Sequence, residues 1–213
     1  MLLPPGDEVR SMRAMPLVSL PARAAVFAAI DFETTGAVSG WPVEPWQVGV
    51  ARVRDGRVQA GERFERLLHA SPERPFNPHA PGRHARLRDA LATAPTLAAI
   101  WPEFSPWVMT GPLVAHGAGT ERSLLRHAAP LHRPGPWVDT LRLVRHAYPR
   151  LPGKSLTEVV AALGLESRVA ALAPGRQAHD ALYDAFACAA VLEHCLALPG
   201  WENVTVRALV DLR

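Results

Sequence analysis

Residues 25–32, AVFAAIDF, are apolar at odd and even positions alike as far as Asp31. A strand with that pattern is covered on both faces, so it belongs in the middle of a sheet with protein packed above and below. The run meets two acids, Asp31 and Glu33, followed by Thr34, Thr35 and Gly36. Carboxylates two apart on a strand point to the same face. A few ångströms apart they repel, and one takes up a proton unless a cation lies between them. A divalent ion with a preference for oxygen, Mg²⁺ or Mn²⁺, answers that need. The plainer alternative is an acidic strand end facing water.

The rest of the chain supplies the layers. PWQVGVARVRDGRVQAGERFERLL reads as two strands joined at Asp55-Gly56, a strong hairpin signal. After a proline-rich loop, RLRDALATAPTLAAIWPEFSPWV reads as two helices broken at Ala94-Pro95. A short buried strand in GPLVAHGAG leads to a helix over TERSLLRHAA, and PWVDTLRLVRHAY is a strand followed by a helix with Asp139 at its start. KSLTEVVAALGL opens on a capping-box pattern, Ser155 to Glu158, and HDALYDAFACAAVLEHCLAL is a long final helix ended by Pro199-Gly200. An antiparallel start followed by strands alternating with helices gives an α/β or α+β layered domain with a mixed sheet. Residues 1–22 read as a flexible leader, 23–198 as the domain, and 199–213 as an added strand or docked extension.

Composition narrows the setting. Formal net charge is +3 with a pI near 9.4, compatible with a polyanionic partner. Lys154 is the one lysine; the abundance of arginine reads chiefly as codon usage. Cys188 and Cys195 lie one heptad apart in a single predicted helix, too far along it to bridge. Reduced thiols in the cytoplasm are the simple expectation. No apolar run is long enough to cross a membrane.

The last helix carries a second acid of interest. Asp184, Cys188, Val191 and Cys195 share one stripe, so Asp184 lies on the face expected to pack on the sheet and needs a partner. His179, five residues earlier, reaches the same helix start. A salt bridge for Asp184 and a capping role for His179 are the alternatives.

At this point the sequence resembles a known family. FAAIDFETTG is similar to the first motif of the DEDDh 3′–5′ exonucleases, the DnaQ-like group of the ribonuclease H-like fold, whose members include the DNA polymerase III epsilon subunit and ribonuclease T. LVAHGAGTERSLL resembles the second motif, and HDALYDAFACAAVL the third, with His179 and Asp184 at the family's spacing. The intervening stretches match in order over about residues 25–195. The resemblance implies a mixed five-stranded sheet with helices on both faces. It implies two divalent ions, Mg²⁺ or Mn²⁺, held by Asp31, Glu33 and Asp184, with His179 as general base and Thr34 and Thr35 against the terminal nucleotide. The implied activity is hydrolysis of single-stranded DNA or RNA from its 3′ end to nucleoside 5′-monophosphates, with a polymerase or another replication or repair protein as partner.

Two stretches depart from the family pattern. In HGAGTE, Gly117 stands for an asparagine, Thr120 for an aromatic residue and Glu121 for the remaining metal-site aspartate. Glutamate is longer by one C–C bond, about 1.5 Å. Glu121 is either a metal-site acid or an acid favoured by a helix N-terminus. Upstream, HARL replaces His-Gly-Ile-Thr: His84 is kept, and Arg86 is a candidate phosphate contact or a solvated helix residue. These departures carry the alternative of a catalytically impaired nucleic-acid-binding or partner-docking module on the same fold.

Overall fold

The structure, a computed structural model, describes residues 17–212. Its sheet has five strands in the order β3-β2-β1-β4-β5. β1 (Phe27–Thr34), β2 (Pro45–Arg54) and β3 (Arg57–Leu67) are antiparallel neighbours, while β4 (Leu113–Ala115) and β5 (Trp137–Asp139) run parallel to β1. β1 is central, as its two-faced apolar pattern requires. The β2–β3 turn is made by Asp55 and Gly56, both at positive φ (53° and 68°), the primed geometry that matches strand twist.

Alternation along β1 assigns its residues to two cores. Phe27 and Ala29 face α7 (Ala181–Leu196), a helix apolar nearly all round because α4 (Thr140–Ala147), α5 (Leu156–Ala162) and α6 (Glu166–Leu172) cover its outer side. Ala28, Ile30 and Phe32 face α2 (Trp101–Val108) and α3 (Gly119–Ala128), packing with Phe104, Val108 and Leu125. A small third cluster joins Trp46 to Leu91 on α1 (Arg88–Thr93). Full burial of a side chain such as Phe27 or Phe104 stabilises by about 1.5–3 kcal/mol. Asp31 and Glu33 share the parity of Phe27 and Ala29, so the strand aims both acids at the α7 side.

Several local expectations shift. β1 runs from Phe27 to Thr34, beginning and ending two residues later than the 25–32 reading, so both acids lie on the strand as expected. α6 is a short amphipathic helix that the sequence pattern did not single out. Of the leader expected over 1–22, residues 1–16 lie outside the described residues. Leu20 and Ala22 instead join the tail: Ala22 N donates to Val204 O (2.7 Å), Val206 N to Leu20 O (3.0 Å), and Pro21 bridges Thr205. The tail is a docked extension rather than a strand, folding into α8 (Val206–Val210) with Val206 and Leu209 buried. Among the described residues, no helix is long and apolar enough to cross a membrane.

Candidate active site

Three features bring the acids together. First, Glu33 pairs with Gln47 and Asp31 with Gly49 on β2, and the register slips between Glu33 and Thr34. Such a bulge re-aims side chains beside a site. Second, Gly49 leaves room for α7. A Cβ there would lie 2.3 Å from the Ala181 carbonyl and 2.4 Å from Leu182 N, so only glycine lets the helix start sit directly on the strand opposite Asp31. Third, the helix start is clamped. Asp180, the buried N-cap, accepts from Leu182 N and Tyr183 N and from Arg176 (2.8 Å), and also takes Arg83. Arg176 in turn forks onto Glu65 of β3 with two contacts of 2.6 Å. Buried Gln47 closes the clamp, donating to Glu65 (2.8 Å) and accepting from Ala181 N (3.3 Å).

The result is a triplet. One ligand atom each from Glu33, His179 and Asp184 lies within 4.8 Å of the others. His179 is exposed, and its backbone is left-handed (φ 65°), rare for a non-glycine residue. Its N–H donates to Asp184 Oδ2 (2.9 Å), which offsets that conformation and turns the histidine over the carboxylates. The loop through Gly82 lies directly above: a Cβ there would meet Trp46 at 3.0 Å, the His179 carbonyl at 3.2 Å and Glu33 Oε2 at 3.5 Å.

Asp31 and Glu121 complete the acidic group without joining the triplet. Burial pushes Asp31 well above the ordinary carboxylate range, and Asp184, Glu33 and Glu121 push in the same direction. Glu33 rises to about 8 by burial, then by Asp184 and Asp180. Asp184 rises to about 6 by burial, partly countered by the His179 N–H. Glu121 is buried in the first turn of α3 and rises to about 7 by burial. Its Oε2 is buried with no hydrogen-bond partner. A buried acceptor left unpaired costs stability, so an atom in that state fits a cation-binding role. The oxygen-rich donor set, with every acid pushed towards its neutral form, is what a divalent cation would relieve.

The second-motif loop is anchored by Asp139, which caps α4 and accepts from Gly117 N (2.9 Å) and Ala118 N (3.3 Å). His116 bridges Thr140 Oγ1 (3.0 Å) and the Lys154 carbonyl (2.7 Å). The remaining sequence candidates stand further out. The Thr34 hydroxyl accepts from Gly36 N, whereas Thr35 is fully buried and its hydroxyl accepts from buried Arg74 (3.0 Å) and Glu44 N (3.1 Å). His84 stacks on Phe76 at 4.6 Å, and Arg86 is exposed. A groove of about 920 Å³ opens beside Gly119 and Thr120, walled by Val43, Pro45, Leu97 and Leu124.

Sequence reasoning missed Gly49, Gln47 and the Asp180–Arg176–Glu65 clamp. Asp180 carried a signal: an acid immediately before a long apolar helix, with Arg176 four residues upstream.

Residues 28–192 match the exonuclease family typified by RNase T. The chain belongs to that exonuclease family. Among curated proteins it is 30% identical over 176 residues to a DNA polymerase III subunit epsilon-like protein of Rhodobacter capsulatus, covering 81% of this chain but 24% of that relative. It is 27% identical over 186 residues to exodeoxyribonuclease 10 of Escherichia coli K12, covering 86% of this chain and 73% of that one. Among solved structures, exonuclease X in complex with 5′-overhanging duplex DNA superposes with a TM-score of 0.64 at 26% identity, over 86% of this chain and 99% of that one. Exonuclease I shares the fold at a TM-score of 0.62 and 17% identity, over 82% of this chain and 41% of that one. The ribonuclease H-like exonuclease architecture and the family resemblance are thereby established.

Proposed function

We propose that this protein is a divalent-metal-dependent 3′–5′ exonuclease that releases nucleoside 5′-monophosphates from single-stranded nucleic acid. The observation that carries the reading is the convergence of Asp31, Glu33, Glu121 and Asp184 on one end of the sheet, all raised in pKa, with exposed His179 at their rim. Asp31, Glu33 and Asp184 would hold two Mg²⁺ or Mn²⁺ ions, with Glu121 as the fourth acid. Two such ions, when bound, supply charge stabilisation to the attacking and leaving oxygens of a scissile phosphate. His179 stands on the solvent side, held by its own N–H to Asp184, where it takes the proton from the attacking water. Thr34 and His84 would contact the terminal nucleotide, as the family resemblance implies, Arg86 would contact phosphate, and Thr35 shapes the loop through Arg74. The name of the Rhodobacter relative supports a replication or repair protein as partner, and the two free, buried thiols fit a reducing cytoplasm.

The test is degradation of 3′-end DNA and RNA oligonucleotides with Mn²⁺ or Mg²⁺. Release of 5′-monophosphates is expected, absent in Asp31→Asn and lowered by roughly 10²–10⁴-fold in His179→Ala. Absence of release from folded protein would overturn the reading and leave a nucleic-acid-binding module.

A further inference from the structure

The edge strand β5 borders two concavities that the chemistry above does not use. One, of about 130 Å³, is walled by Gly119, Asp139, Arg142 and Leu209. The other, of about 340 Å³, is walled by Arg126, His132, Arg133 and Pro134. They share Arg122 and Trp137 and so adjoin at that stacked pair, the two together making a trench along β5. It begins at Gly119 in the first turn of α3, two residues before Glu121, and runs beside α3 to the chain segment that enters β5.

The trench is basic with little to balance it. Arg122, Arg126 and Arg133 are exposed, and among the described residues none has a carboxylate within ion-pair distance. Asp139 is the one acid in the walls, and its oxygens are occupied by Gly117 N, Ala118 N and Leu141 N. The Arg122 guanidinium is seated over the Trp137 ring at 5.6 Å, which fixes its position. Arg126 follows one helical turn later, about 6 Å along the axis. Guanidinium groups lined up in this way suit phosphate oxygens, which they bind through a planar fork.

We propose that this trench binds the backbone phosphates of the nucleic-acid strand whose 3′ end occupies the acidic site. The inference rests on the nuclease reading. Gly119 and Glu121 share the first turn of α3, so one end of the trench lies at the helix start that carries this acid, and a strand long enough to follow α3 from there gains contacts that a short one lacks.

The test is binding of short and long fluorescent single strands in EDTA, without turnover, across a salt titration. The native protein is compared with Arg126→Gln/Arg133→Gln, two exposed positions outside the core. For the long strand, the slope of log affinity against log salt should fall by about 1.4, or 0.7 for each lost phosphate contact. The short strand should bind with an unchanged slope. Equal slopes for the long strand in both proteins, or no long-strand binding by either, would overturn the trench. A calorimetric signal with inorganic phosphate that the double substitution abolishes, together with equal strand slopes, would make it a free-anion site and also overturn the proposal. Monophosphate release, measured separately with metal, tests the nuclease reading independently.

Discussion

Gly49→Ala tests how the site is assembled without touching any acid. The new Cβ would lie 2.3 Å from backbone atoms of Ala181, where ordinary contact begins near 3.4 Å. The strand and the helix start must therefore separate by about 1.1 Å, and the neighbour is backbone rather than a flexible side-chain end. Overpacking of this kind costs roughly 1–3 kcal/mol. The functional loss is larger in proportion, because β2 faces Asp31 while α7 carries Asp184. A misplacement of about 1 Å costs on the order of 10² in rate. Thermal unfolding and metal-dependent monophosphate release, measured on the same preparation, give both quantities. A variant with native melting temperature and native rate would refute the seating of α7 on Gly49.

Other consequences concern charge. Glu33, Glu121 and Asp184 have folded pKa values near 8, 7 and 6, above their unfolded values, so between about pH 4 and 8 the folded chain holds more protons than the unfolded one. Stability of the metal-free protein should fall as pH rises through that window, and saturating Mn²⁺ should flatten the decline; a metal-free melting temperature that rises with pH contradicts the crowding of the acids. Glu121→Gln removes a charge whose burial costs up to about 3 kcal/mol above pH 7, so the metal-free variant should melt higher while losing part of the Mn²⁺-induced rise that Glu121→Asp retains. Asp180→Ala strips the clamp and leaves its partners uncompensated, which should cost roughly 3–5 kcal/mol by chemical denaturation.

Much of the site was readable because its residues lie at fixed spacings on regular elements. Asp31 and Glu33 follow strand parity, and Asp184 follows helix periodicity from a recognisable start. What could not be read is what happens between elements. A glycine in a strand does not announce which backbone approaches it, so Gly49 carries no local signature. Arg176 and Glu65 are far apart in sequence and individually ordinary; only the fold makes them a fork. Glu121 illustrates the same limit: its place in the chain suited a helix dipole and a metal site equally, and that it is buried with an unpaired oxygen follows from packing that its neighbours in sequence do not reveal. The short α6 was missed because seven residues give too few turns for a periodic signal.

The junction of Leu20 and Ala22 with Val204 and Val206 has a kinetic consequence. These partners are separated by nearly the whole chain, so closing that loop carries a high entropic cost and gains contacts only late. During synthesis the segment around Pro21 is made before its partner and waits for it until everything between them has been made. Attachment of the two segments is therefore expected to follow formation of the central sheet, and disrupting either segment should release the other to faster amide exchange while leaving the acids in place.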